Sequence, residues 1–194
     1  MSGGARLFVA VELPAGAREQ IAGWARRAVP VEGGVRRLDP AALHVTLCFL
    51  GTQPVAAVGE IAAVVEAQAR PVGPLALGAP VWLPRRRPRA LAIELHDERG
   101  ALGDLAADLV RELGSAIGWE PESRRWHPHV TVARMRPGAT TPGPLDPTPA
   151  IVFEPTALTV FRSRLEPDGA DYEALARVTL LWTGDGWQGA GHAG

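Results

Sequence analysis

Residues 43–51 read Leu-His-Val-Thr-Leu-Cys-Phe-Leu-Gly, and residues 127–134 read His-Pro-His-Val-Thr-Val-Ala-Arg. Both are patterned as strands, whose period of two sends successive side chains to opposite faces. His44 and Thr46 then share one face, with Val45, Leu47 and Phe49 on the other. His129 and Thr131 repeat the arrangement, backed by Val130 and Val132. Burying the apolar side fixes each strand and leaves an imidazole and a hydroxyl side by side at rigid spacing. With 5 histidines and 10 threonines in 194 residues, about 0.26 His-x-Thr triplets are expected by chance, so one copy means little and two carry a signal. The alternative is a pair of half-buried strands whose His and Thr are satisfied by local hydrogen bonds.

The chain is 46% hydrophobic and 21% charged with a net charge of −1, the profile of a globular protein with a real core, as one domain or two small fused lobes. No signal-like opening and no membrane-length apolar run is present, which sets the expectation of a cytoplasmic protein. Cys48 is the single cysteine, so neither an intrachain disulfide nor a thiolate metal cluster can form. Alternation puts it on the face of His44 and Thr46, yet nothing places a base beside it to make a nucleophile. All 20 basic residues are arginine, which fits a GC-rich coding bias better than a functional choice. They cluster at Arg36-Arg37, Arg85–Arg87, Arg89, Arg124-Arg125, Arg134 and Arg136. Arginine pairs bidentately with phosphate and stacks on bases, so a local anion site needs no globally basic protein.

Along the chain, the pattern predicts a strand at 6–13 and a helix over 15–28 with Ile21, Trp24, Ala25 and Ala28 on one stripe. Residues 51–54 read as a turn and helix start, leading into an amphipathic helix that runs to Arg70. A strand at 75–83, interrupted by Gly78 and Pro80, is followed by a proline-bounded arginine loop at 84–89 and a strand at 90–95. Residues 98–117 form an amphipathic helix that Gly118 ends. The second His-x-Thr strand lies within 119–134, and a proline-rich loop fills 136–149. Segments 158–165 and 172–181 make a hairpin about Pro167-Asp-Gly169, and 184–194 is a glycine-rich tail containing His192, to which no function is assigned. His96 reads as a surface residue at a strand end. A helix followed by Arg-Arg and a His-x-Thr strand occurs twice, 85 residues apart. That predicts two similar α+β lobes facing each other across a cleft, each contributing one histidine.

Two opposed imidazoles can act as base and acid in one step near neutral pH. In-line attack at a phosphodiester uses such a pair directly: one ring deprotonates the attacking oxygen and the other protonates the leaving oxygen. Thr46 and Thr131 can then donate to the non-bridging oxygens, where charge builds in the transition state. A metal site built on His127 and His129 is the competing reading. It lacks an obvious carboxylate and a His-x-x-x-His or Cys pair, and it gives the threonines nothing to do.

The two motifs resemble those of the two-histidine phosphoesterases, in particular the RNA 2′,3′-cyclic phosphodiesterase (2′-5′ RNA ligase, LigT-like) branch. The likeness extends to Arg6–Pro14, Pro84–Leu91, Phe161–Leu165 and Gly169–Tyr172, so it spans roughly residues 5–180. It implies an α+β bilobal fold over residues 1–183, with two pseudo-symmetric lobes of antiparallel sheet and outer helices around a central cleft. It also implies no metal and no cofactor, a monomer without an obligate protein partner, and RNA or nucleotide ends bearing a 2′,3′-cyclic phosphate as substrate, opened to a 2′-phosphate. By the same resemblance His44 is the acid and His129 the water-activating residue, although a linear sequence does not orient the ligand and the order is reversible. Joining such ends to 5′-hydroxyls is the related reaction. Arg134 matches the arginine that closes the family's second motif, but alternation points it away from His129 unless a bulge intervenes. Arg87 and Arg89 are candidate phosphate contacts, with a solvated loop as the alternative. Phe8 and Phe49 are candidate stacking faces for a base, with core packing as the alternative. Cys48 and Val132 depart mildly from the pattern. Two other functions stay open: the same chemistry on a small cyclic nucleotide, a 2′-5′ oligonucleotide or a cyclic ADP-ribose phosphate, and RNA-end binding without turnover.

Overall fold

The computed structural model describes residues 3–121, 126–141, 143–166 and 169–180. Strand β1 (Gly4–Glu12) sends Leu7, Val9 and Val11 into the core and carries Phe8, Ala10 and Glu12 on its other face. It sits inside a four-stranded antiparallel sheet, between β3 (His44–Pro54) and the hairpin of β8 (Ala157–Glu166) and β9 (Gly169–Thr179). A five-stranded antiparallel sheet forms the second lobe, in the order β2 (Val35–Arg37), β6 (His129–Met135), β5 (Ala90–His96), β4 (Leu75–Leu83), β7 (Val152–Phe153). The fold is thus α+β and bilobal, and each motif strand lies in a different sheet.

The helices are exchanged between the lobes. Helix α1 (Ala15–Ala28) follows β1 in the chain but packs on β6 of the second sheet. Arg37 holds its C-terminal end, donating from Nη1 to the carbonyls of Arg26 (2.9 Å) and Val29 (3.1 Å). Helices α2 (Val58–Gln68) and α3 (Ala101–Ile117) pack on each other and behind the first sheet, although α3 leads in sequence toward β6. Leu102, Leu105, Leu109 and Leu113 fall on one stripe of α3 and are fully buried. The Asp97 carboxylate caps the start of α3 by accepting from the amides of Leu102 and Gly103. Gly118, at φ 63, ends it as expected. One continuous hydrophobic core runs through both lobes, from Leu7 and Val45 to Ile93 and Val130.

Three expectations change. Residues 51–54 are not a turn: β3 continues to Pro54, because Gly51 at φ 66 absorbs an irregularity in the ladder, and α2 starts only at Val58. Strands β2 and β7 are additional to the expected elements, being three and two residues long and too short to show a period. The lobes are also not sequence halves, since the first sheet takes its strands from both ends of the chain. Arg124, Arg125, the turn at Pro167-Asp168 and the tail from 184, with His192, lie outside the described residues.

Because the core is continuous and the helices are exchanged, the lobes should unfold together. Leu105→Ala should cost roughly 2–5 kcal/mol, read as one urea transition that coincides in tryptophan fluorescence and far-ultraviolet circular dichroism. Two separated transitions would show that the lobes are independent.

Candidate active site

Each motif strand carries a bulge one residue past its threonine. Against β1, Thr46 pairs with Ala10 and Cys48 with Val9, so Leu47 is the extra residue. Against β5, Thr131 pairs with Ala92 and Ala133 with Leu91, so Val132 is the extra residue. The consequence is the same in both strands. Cys48 turns into the core at 2% exposure and Phe49 turns out at 37%. Ala133 turns in, and Arg134 turns out onto the face of His129 and Thr131. This overturns the placement of Phe49 in the core and of Cys48 beside His44, and it supplies the break that Arg134 required. Burial of the Cys48 thiol pushes its pKa up to about 12, which removes it as a nucleophile.

The two imidazoles are held identically. Nδ1 of His44 lies 2.8 Å from the carbonyl of Ala42, and Nδ1 of His129 lies 2.8 Å from the carbonyl of His127. A carbonyl only accepts, so Nδ1 carries the hydrogen in each ring and Nε2 is left for a ligand. Trp126 joins the lobes here, its Nε1 donating to the carbonyl of Thr46 at 3.0 Å. Strands β3 and β6 pack together, and the charges of Arg134 and His129 both act on His44. The two histidines and Arg134 are therefore brought to one place, with Thr46 and Thr131 half-buried beside them.

His44 is boxed by aromatic rings. Phe8 stacks at 4.9 Å between centroids and Phe161 at 5.9 Å, while Tyr172 meets it edge-on at 5.2 Å. Burial among these rings pushes the His44 pKa down from the usual 6.5 to about 4. The hydrogen bond to Ala42 opposes that shift, and the positive charges of Arg134 and His129 add to it. Beside this box, the Glu12 carboxylate accepts from Thr159 Oγ1 (2.6 Å) and from Arg177 Nε (2.9 Å) and Nη2 (3.2 Å). Burial alone would raise its pKa, but the hydrogen bonds from Arg177 and Thr159 outweigh that and hold the carboxyl below its ordinary value.

The remaining predicted residues divide. Phe8 is 3% exposed and occupied by His44, Phe161 and Tyr172, so it offers no face to a base and serves the imidazole instead. Phe49 is on the open face, with the Arg6 guanidinium 4.8 Å above its ring. Arg87 and Arg89 are in the loop between β4 and β5, and both are exposed. The carbonyl of Arg89 accepts from the Met135 amide at 2.8 Å, which sets this loop against the end of β6 that bears Arg134. Sequence reasoning missed Trp126, Phe161 and Tyr172 as parts of the site, and Arg36. Arg36 lies directly opposite Arg134 in the β2–β6 ladder, and neither has an ion pair among the described residues. Like charges facing across a ladder repel, and an anion between them relieves it. Among the described residues no three His, Cys, Asp or Glu side chains gather where they could hold a metal ion, and no helix is long and apolar enough to cross a membrane.

The site thus holds two Nδ1-anchored imidazoles on strands of the two sheets, with the motif threonines and Arg134 beside them. No protein-family model matches the chain. The RNA 2′,3′-cyclic phosphodiesterase of Escherichia coli strain K12 is 29% identical over 188 residues, covering 93% of this chain and 99% of the relative. The enzyme of that name from Aeropyrum pernix is 32% identical over 112 residues, covering 56% of this chain and 61% of the relative. The crystal structure of E. coli LigT complexed with 3′-AMP matches with a TM-score of 0.77 at 27% identity, covering 93% of this chain and all of that one. The crystal structure of the protein TT0787 from Thermus thermophilus matches with a TM-score of 0.76 at 26% identity, over 90% and 97% of the two chains. The chain is thus similar over nearly its whole length to LigT-like RNA 2′,3′-cyclic phosphodiesterases.

The low pKa of His44 makes stability depend on pH. Above pH 6.5 the ring is neutral in both folded and unfolded chains. Between 6.5 and about 4 only the unfolded chain takes up the proton, so stability falls with falling pH, by about 3 kcal/mol once pH is below 4. Urea unfolding at pH 7 and pH 4.5 should show this loss in the wild type, and His44→Phe should lack that component.

Proposed function

We propose that this chain is a metal-independent phosphodiesterase that opens 2′,3′-cyclic phosphates at RNA or nucleotide ends to 2′-phosphates. The observation that carries it is the pair of Nδ1-anchored imidazoles on packed, identically bulged strands, with Arg134 turned onto the same face. The likeness to two relatives named as RNA 2′,3′-cyclic phosphodiesterases, and to a LigT structure holding 3′-AMP, supports the same substrate class.

In this reading the cyclic phosphate lies between the two Nε2 atoms. The Thr46 and Thr131 hydroxyls donate to its non-bridging oxygens, and the Arg134 guanidinium neutralises charge that grows as water attacks. The bond from phosphorus to the water oxygen forms while the bond to the ribose 3′ oxygen breaks. One imidazole takes the water proton and the other delivers a proton to the 3′ oxygen, so protons balance over the step. Burial among the aromatic rings disfavours the charged form of His44, pushing its pKa down to about 4. That supports His44 as the acceptor and His129 as the donor, the reverse of the order the resemblance implied. The arginine loop at 84–89, standing beside Arg134, extends positive charge past a single phosphate and favours an RNA end over a free nucleotide. Joining to a 5′-hydroxyl would use the same geometry with a different attacking oxygen.

His44→Ala and His129→Ala should each lower kcat/KM on an RNA ending in a 2′,3′-cyclic phosphate by roughly 10²–10⁴-fold. The product should be the 2′-phosphomonoester, and EDTA should leave the rate unchanged; loss of turnover in EDTA would refute the two-imidazole mechanism. If His44 is the base, the acidic limb of the kcat/KM profile should lie near pH 4.

A further inference from the structure

The cleft face of the second sheet continues past His129. Glu94 of β5 lies directly opposite His129 in the ladder and is exposed. Thr131, Ala92 and Val81 form the neighbouring row across β6, β5 and β4. On β4 the ladder is irregular between Leu77 and Pro80, and Gly78 lies under the Glu94 and His96 side chains. A Cβ at Gly78 would come within 3.1 Å of the Glu94 carbonyl oxygen and 3.3 Å of Glu94 Cβ, so glycine lets β4 pass close to β5 here. Next to it is an open groove of about 310 Å³, lined by Ala79, Pro80, Val81, Trp82, Arg85 and Glu94. Its volume suits a small ring system.

We infer that this groove is a base-recognition subsite, and that Glu94 with Arg85 makes it select guanine at the nucleotide carrying the cyclic phosphate. The inference rests on the phosphodiesterase reading above. Neighbouring strands are spaced about 4.8 Å apart, so β4 lies about 10 Å from β6, within the reach of a base whose phosphate is held at His129. A carboxylate repels the phosphate backbone and only accepts hydrogen bonds. Glu94 therefore calls for a group with donors. Guanine presents two adjacent donors, N1–H and the N2 amino group, which match the two oxygens of one carboxylate. Its O6 and N7 acceptors lie on the next edge, where the guanidinium of Arg85 can donate in bidentate fashion. Adenine and cytosine each offer a single amino group beside acceptors, and uracil offers one N–H between two carbonyls. Those acceptors would face the carboxylate unpaired, at a cost. Pro80 and Val81 supply the apolar floor.

The test compares kcat/KM for the four 2′,3′-cyclic mononucleotides. The guanosine substrate should exceed the uridine one by roughly 5- to 100-fold, and Glu94→Gln, close in shape and exposed, should collapse that ratio. Equal rates on all four in the wild type, or a ratio that survives in Glu94→Gln, would overturn the subsite. If none of the four turns over, it is the proposed reaction that fails. The subsite is then decided by binding of guanosine 3′-monophosphate against uridine 3′-monophosphate, where equal affinity overturns it and preference for the guanosine ligand that Glu94→Gln abolishes sustains it.

Discussion

One extra residue per motif strand governs the site. A strand with an unbroken period of two cannot place positions 129, 131 and 134 on one face, because the last lies an odd number of residues from the first. The unpaired Val132 corrects the parity, and the unpaired Leu47 does the same in β3. The bulges also explain the burial of consecutive residues, Leu47-Cys48 and Val132-Ala133, in otherwise alternating strands. Both sheets thus have an apolar back sealed by helices and a front that bears the motif histidine and threonine. The two fronts are held to each other by the indole of Trp126 on the carbonyl of Thr46 and by helices that cross from one lobe to the other.

The fronts differ in character although the motifs repeat. Around His44 the first sheet supplies rings, Phe8, Phe161 and Tyr172. Around His129 the second sheet supplies charge: Arg134 and Arg36 on one side of the strand, Glu94 on the other. The repeated motif thus places its two imidazoles in unlike surroundings.

Much of this was legible in the chain. The two His-x-Thr segments, the helix at 15–28, the helix ended by Gly118 and the interrupted strand at 75–83 all follow from period and punctuation. Arg134 could be suspected but not placed, since a bulge is a property of a pair of strands and leaves no mark in one. The same limit hid Phe161 and Tyr172. Their approach to His44 depends on β1 lying between β3 and β8, a pairing that joins segments more than a hundred residues apart. In the sequence Phe8 and Phe49 read alike, as stacking faces or core, and the structure separates them: Phe8 is buried, while the parity change between Thr46 and Phe49 turns Phe49 out.

The carbonyl lock on each Nδ1 has an effect on repeated turnover. Neither ring can pass a proton through itself, since one nitrogen is permanently committed to the backbone. Every proton must leave by the atom at which it arrived. In the proposed reaction one cycle leaves the acceptor ring loaded and the donor ring empty, so both must exchange protons with bulk solvent before the next.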